Sequence, residues 1–245
     1  MNDDLREHTS KVPAVTFGFW LVKIAATTLG ETGGDAVSMS MNLGYLVGTA
    51  IFAALFVAAV LVQIRAKRFH PVVYWATIVA TTTVGTTLAD FADRSLGIGY
   101  AGGSTLLLAL LLCSLFLWWR ATGTLAVESV RSPKSEWFYW ITILFSQTLG
   151  TALGDWTADS AGFGYLGSAM VFGGMFAVLA LLYFTTRVSR TLLFWLAFVI
   201  TRPLGAVVGD FLDKPLDHGG LALSRFGASG ALVGFIVVTL LVFRQ

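Results

Sequence analysis

Four stretches of this sequence align without a gap: "TTLGETGGD" from Thr27, "TTVGTTLAD" from Thr82, "QTLGTALGD" from Gln147 and "RPLGAVVGD" from Arg202. Each holds a glycine (Gly30, Gly85, Gly150, Gly205) followed five residues later by an aspartate (Asp35, Asp90, Asp155, Asp210). A tryptophan stands ten residues before each glycine (Trp20, Trp75, Trp140, Trp195), and a second glycine nine residues after each aspartate (Gly44, Gly99, Gly164, Gly219). In the first three copies Tyr45, Tyr100 or Tyr165 follows that second glycine. Such a chain folds as one supersecondary unit stated four times.

The unit is a helix pair. Apolar runs such as Ser40 to Ile64 carry no charge and exceed the roughly twenty residues that cross a bilayer. Gly99 to Trp119, also uncharged, and Leu221 to Phe243, with Arg225 its one charge, read the same way. Only 12% of residues are charged, about half the usual share for a soluble domain, and the mean hydropathy is +0.77. The sequence predicts an all-α polytopic membrane protein with eight transmembrane helices. First helices are expected at about 14–37, 72–93, 136–158 and 191–212, and second helices at about 43–65, 98–119, 163–186 and 220–243. The organisation is a cytoplasmic tail (1–13), repeat 1 (14–65), repeat 2 (72–119), a cytoplasmic linker (120–135), repeat 3 (136–186) and repeat 4 (191–243), in one membrane domain. The tail "MNDDLREHTSK" does not read as a cleavable signal peptide.

The Trp–Gly–Asp spacing over about residues 14–243 resembles an uncharacterised bacterial membrane-protein family built from four tandem repeats, each of two transmembrane segments with a characteristic tryptophan. The resemblance implies a bacterial inner membrane and no settled activity. Function is therefore read from the residues.

Eleven Lys and Arg (Arg6, Lys11, Arg65, Lys67, Arg68, Arg120, Arg131, Lys134, Arg187, Arg190, Arg244) fall on the side of the N-terminus, against Arg94, Lys214 and Arg225 opposite. The positive-inside rule then places both termini in the cytoplasm and the repeated aspartates toward the outer face. Two crossings per unit make the repeats parallel, related by an axis along the membrane normal. A pseudo-four-fold ring follows, with first helices inward and second helices toward lipid.

Residues four apart share a helix face. Stepping back from each aspartate gives Lys23–Thr27–Glu31–Asp35, Thr82–Thr86–Asp90, Gln147–Thr151–Asp155 and Arg202–Ala206–Asp210. Asp93, Asp159 and Asp213 follow and are expected to form an outer acidic mouth. A charge at the bilayer centre costs roughly 3 kcal/mol on insertion scales, so these groups face inward and find partners. One reading is structural glue, Lys23 and Arg202 neutralising Glu31 and one or two aspartates. The other is a site: Glu31, Asp35, Asp90, Asp155 and Asp210 bind an ion, Thr27, Thr82, Thr86, Gln147 and Thr151 line its path, and Lys23 and Arg202 balance charge. Glu31, a turn deeper than the aspartates, is a candidate proton carrier if desolvated and an ion-pair partner of Arg202 or Lys23 otherwise.

All-oxygen ligands suit hard divalent cations such as Mg²⁺, Ca²⁺ or Mn²⁺. Cys113 is alone, among leucines, and the five methionines form no array, which argues against soft-metal chemistry. His218, beside Asp217 and close to Asp213, reads as an exposed loop residue, with an imidazole ligand for a borderline metal as the alternative, and His8 and His70 read as surface residues. The glycines near the aspartates read as close helix packing, with local unwinding as the alternative; Pro203 fits a kink. The tryptophans read as packing or interfacial residues. No nucleotide-hydrolysing or hydrolase motif appears, so no enzyme is expected, nor nucleic-acid binding or a cofactor, a divalent cation being substrate. The expected partners are the bilayer and a metal cation or small solute. The first expectation is a secondary transporter or exporter of a cation, Mn²⁺ foremost. Alternatives are a proton-coupled carrier of a small organic solute, its carboxylate held by Lys23 and Arg202, and a non-transporting membrane anchor or regulator.

Overall fold

The structure, a computed structural model, describes residues 10–243. Arg6, His8, Arg244 and most of the N-terminal tail lie outside the described residues. Eight long α-helices and no strand occur among those described: α1 (Phe17–Asp35), α2 (Gly44–Arg65), α3 (Pro71–Asp90), α4 (Tyr100–Thr122), α5 (Pro133–Asp155), α6 (Gly164–Thr185), α7 (Arg190–Asp213) and α8 (Arg225–Phe243). Helix α8 starts five residues later than expected, because a 3₁₀ turn at Leu216–His218 and an extended segment precede it.

Local chemistry sets the ends. Thr16 and Ser189 accept hydrogen bonds from Phe19 N and Leu192 N at the starts of α1 and α7, and Ser132 caps α5 with Pro133 at its first position. The second repeated glycine has positive φ in every copy: 76° at Gly44, 74° at Gly99, 64° at Gly164 and 81° at Gly219. Only glycine enters that region without a Cβ penalty, which explains the marker. In the first three repeats a π-helical turn follows the aspartate, at Ala36–Ser40, Phe91–Ser95 and Trp156–Ser160; in the fourth, α7 runs on to Asp213.

Helices α1, α3, α5 and α7 contact one another in a closed circuit, α7 returning to α1. Each second helix packs on the first helix of the following repeat: α2 on α3, α4 on α5, α6 on α7, and α8 back on α1. The exposure pattern is inverted relative to a soluble protein. Leu55, Leu112 and Phe184 on the second helices are exposed, while Lys23, Thr27, Gln147 and Arg202 on the first are fully buried. Six helices are long and apolar enough to cross a membrane, so the chain is a multi-pass membrane protein with lipid against its apolar flank. Helices α1 and α5 fall short because they carry polar residues that the molecule buries, Lys23, Glu31 and Asp35 on one and Glu136, Gln147 and Asp155 on the other.

The first repeated glycine marks where neighbouring first helices meet. A Cβ on Gly30 would strike Thr82, on Gly85 Gln147, on Gly150 Arg202 and on Gly205 Thr27. These four partners hold one equivalent position, each in the next repeat around the circuit. The helices run unbroken through the glycines, Pro203 included, so close packing accounts for them and local unwinding does not. Gly205→Ala, its Cβ within 2.9 Å of the Thr27 carbonyl carbon, is expected to cost about 1–3 kcal/mol by overpacking. Gly33→Ala, which meets open space, should be neutral or stabilising. Thermal unfolding of both variants in detergent checks the contrast.

At the end holding Lys11, Arg65, Arg120, Arg131, Lys134 and Arg190, an aromatic core closes the molecule. Phe19, Tyr74, Tyr139 and Phe194 form one layer, Tyr74 and Tyr139 sharing a 2.6 Å hydrogen bond, with Trp75, Trp118, Trp140 and Trp195 around them. Lys11 ties the N-terminal segment across this end, its Nζ 2.6 Å from Glu136 and donating to the Gln63 and Ile64 carbonyls.

Candidate functional site

The four-step stripe supplies stacked layers between the first helices. Beyond the aromatic core lie Lys23, Ile78, Ile143 and Phe198; then Thr27, Thr82, Gln147 and Arg202; then Glu31, Thr86, Thr151 and Ala206; then the four aspartates. All of these positions but Ile78, Ile143 and Phe198 were expected on the stripe, and the structure buries every polar one of them to 4% exposure or less. One further step of four reaches Asp159, expected among the outer carboxylates, and adds Met39, Arg94 and Lys214, absent from the expectation.

That last layer lines a cavity of about 550 Å³ at the end away from the aromatic core, with Tyr100, Tyr165, Pro215, His218 and Arg225. It corrects the picture of an acidic mouth. Of the three carboxylates assigned there, only Asp159 lines the cavity, accepting from the Tyr100 hydroxyl at 3.4 Å. Asp93 is buried, its carboxylate pressed on Gly103 of α4. Asp213 lies under Arg225, whose Nε is 2.8 Å from its Oδ2. The mouth is cationic because Arg94, Lys214 and Arg225, the three bases counted at this end for topology, fold over the aspartates.

Each aspartate of the layer thereby has a basic partner. Lys214 Nζ bridges Asp35 Oδ2 at 2.6 Å and Asp210 Oδ1 at 3.0 Å, joining the fourth repeat to the first. Arg94 bridges Asp90 Oδ1 at 3.0 Å and Asp155 Oδ2 at 3.3 Å, joining the second to the third. Arg225 Nη2 reaches Asp35 at 3.7 Å. The contacts at Asp90 Oδ1 and Asp210 Oδ1 are close in distance but not aligned as hydrogen bonds, and Asp93 Oδ1 and Asp213 Oδ1 have no hydrogen-bond partner among the described residues.

One turn deeper, Arg202 Nη2 lies 3.0 Å from Glu31 Oε2 and 2.6 Å from Thr86 Oγ1, and also contacts Thr151 Oγ1. One nitrogen from the fourth repeat thus touches the other three. Glu31 is paired, as one of the two sequence readings had it, and the partner is Arg202. Lys23 is elsewhere: its Nζ sits 4.1 Å from the Phe198 ring centroid and 3.5 Å from Gln147 Oε1, with no carboxylate in ion-pair range among the described residues. Thr27 does not line an open path; its hydroxyl donates to main-chain oxygens, one of them Thr201 O on α7. Thr82 is buried, and its hydroxyl has no hydrogen-bond partner among the described residues.

Charge counting separates this site from a fully neutralised core. Six buried carboxylates (Glu31, Asp35, Asp90, Asp155, Asp210 and Asp213) share four paired bases, Arg94, Arg202, Lys214 and Arg225. Two groups of carboxylates offer a hard cation one oxygen each, all within 4.8 Å: Glu31 with Asp35 and Asp90, and Asp35 with Asp210 and Asp213. Asp35 belongs to both.

Outside this cluster, His218 is exposed as expected, 3.0 Å from Asp217, and its hydrogen bond holds the Asp217 carboxyl below its ordinary range. Cys113 is exposed on α4. The four tryptophans do not share a pocket: Trp75, Trp140 and Trp195 are in the aromatic core, while Trp20 lines a separate apolar groove of about 930 Å³ between α1, α6 and α7.

A family model described as Repeat of Unknown Function (DUF347) matches residues 18–69, 73–124, 138–189 and 193–244, nearly the whole chain. The chain belongs to this family. Each DUF347 repeat opens on a first helix and carries the tryptophan, both glycines and the aspartate, so the family unit and the unit read from spacing coincide. No curated protein and no solved structure matches the chain.

Proposed function

We propose that this DUF347 protein is a secondary carrier of a hard divalent cation, Mn²⁺ foremost, in a bacterial inner membrane. The carrying observation is the two-charge excess of carboxylate over base in a layer built from all four repeats. A buried excess of that size is costly unless neutralised, and one divalent ion matches it in charge and ligand type. Asp35, Asp90, Asp155, Asp210 and Glu31 are the ligands. Lys214 and Arg94 are tethered counter-ions that occupy carboxylate oxygens while the ion is away. A lysine ammonium and an arginine guanidinium on flexible stems withdraw toward the outer cavity when the ion competes for the same oxygens.

In this reading all eight helices cross the membrane in a pseudo-four-fold arrangement about its normal, with both termini cytoplasmic. The closed circuit of first helices and the cyclic packing of each second helix on the next repeat support it. So does the distribution of Lys and Arg. Helices α1 and α5 span although polar, because their polar faces are turned to the shared axis. The aromatic core is the cytoplasmic closure, and the 550 Å³ cavity is the outer vestibule. Transport is the activity; the chain performs no catalysis.

The non-transporting reading also predicts paired charges, and it accounts for Arg202–Glu31 and Lys11–Glu136. It leaves the carboxylate excess and the unaligned oxygens of Asp90, Asp210 and Asp213 without a role. The test is Asp155→Asn, which removes one charge with little change of shape. Cells producing the variant should lose the change in manganese content and tolerance that the wild-type protein confers, while the protein stays folded in the membrane at normal abundance. Unchanged metal handling by a folded Asp155→Asn protein would remove the cation role.

A further inference from the structure

Below the carboxylate layer the charge balance reverses. Lys23 and Arg202 are both fully buried, and among the described residues the only carboxylate paired with either is Glu31. Arg202 makes all three of its contacts through Nη2, so Nη1 and Nε, with three of the five guanidinium N–H bonds, have no acceptor among the described residues. Gln147 Nε2 likewise has none, because the Gln147 carbonyl oxygen faces Lys23. The Thr82 hydroxyl, one helix away and equivalent in position to Gln147 and Arg202, is also unmatched.

These are four side chains from four repeats at two adjacent stripe levels, all 0% exposed. Their floor is Phe198, under Lys23, with the buried Ile78 and Ile143 at the same level. Leaving a buried donor unmatched costs about 1–3 kcal/mol, and more for a charged group. Unmatched donors on Arg202, Gln147 and Thr82, with the Lys23 Nζ held only by Gln147 Oε1 and the Phe198 ring, describe a receptor for negative charge. Donors outnumber metal ligands here: among the described residues the one carboxylate paired with the group is Glu31, already held by Arg202.

We infer that Lys23, Gln147, Arg202 and Thr82 form a second ligand site in the core of the first helices, which takes a small monovalent anion. Lys23 supplies the ammonium, Arg202 Nη1 and Nε a two-pronged guanidinium edge, and Gln147 Nε2 a neutral donor. The ligand is a halide or a small carboxylate, since both present one negative charge with acceptor capacity. Glu31 separates this site from the carboxylate layer: it holds Arg202 Nη2 on one side and joins the Asp35–Asp90 group on the other. A cation above and an anion below would therefore share the Arg202–Glu31 pair, so binding of either is felt by the other.

The test uses full-length protein in detergent, with thermal unfolding followed in gluconate, chloride and acetate at constant ionic strength. The expected result is a saturable rise of several degrees in chloride, acetate or both relative to gluconate. Response to chloride alone assigns a halide, and to acetate a carboxylate. Lys23→Met, which keeps the stem and removes the charge, should lower the apparent anion affinity at least tenfold; Gln147→Leu, should Lys23→Met not fold, should weaken it severalfold. Asp155→Asn should leave the anion response intact while abolishing the cation response, so the two sites fail separately. The same unfolding temperature in all three salts, or an undiminished anion response in Lys23→Met and Gln147→Leu, would overturn the site.

Discussion

Arg202→Met is expected to destabilise the folded protein by about 3–5 kcal/mol, a large share of the stability of a domain this size. The substitution keeps the bulk that packs on Gly150 but strands the Glu31 carboxylate, 3% exposed and, among the described residues, otherwise hydrogen-bonded by Thr86 alone. Because the Arg202 Nη2 contacts reach three other repeats, the loss is felt around the whole circuit. Glu31→Gln in the same molecule should recover most of the stability, since the neutral amide needs no counter-ion. The double variant separates loss of charge balance from loss of packing. Urea or thermal unfolding in mild detergent reads both, and an Arg202→Met protein as stable as wild type would show that Glu31 is not held as a charged partner.

The second large effect is on ligand affinity. In Lys214→Met the ammonium that bridges Asp35 and Asp210 is removed, and two buried carboxylates lose their closest cation. The ion-free protein should be less stable at neutral pH, by an amount comparable to breaking a buried pair. The competitor for the site has also gone, so Mn²⁺ should bind at least tenfold more tightly, a change of about 1.4 kcal/mol, and its addition should restore the lost stability. Calorimetric titration with Mn²⁺, Ca²⁺ and Mg²⁺ measures the change. Equal affinity in wild type and Lys214→Met would mean that the lysine and the ion do not share ligands.

Much of this was legible in spacing. The Trp–Gly–Asp–Gly register located every helix pair, because each marker answers a separate physical need: aromatic closure, close approach, buried charge and a left-handed turn. The interior stripe was legible because a step of four is a helix face, and Glu31, Thr86 and Thr151 meet the same arginine for that reason. Arg94, Lys214 and Arg225 were not recognised as site residues. They lie next to loops, where a base is ordinarily solvated, and counting them as topological markers hid that Arg94 and Lys214 continue the stripe by one more step. Without them the mouth read as acidic. The π-helical turns were not legible either, for nothing in "AVSMS", "FADRS" or "WTADS" distinguishes an i→i+5 turn from an ordinary helix end. The pairing of second helices with the following repeat depends on packing between distant segments, which no local pattern encodes.

The most direct measurement is ion flux into proteoliposomes containing the purified protein, screened across Mn²⁺, Mg²⁺ and Ca²⁺ with and without a pH gradient. The proposed carrier gives protein-dependent movement of at least one of these ions, strongly reduced by Asp155→Asn and by Asp35→Asn. Liposomes that stay as tight to all three ions as protein-free controls, with a folded protein and both polarities of gradient, would contradict it.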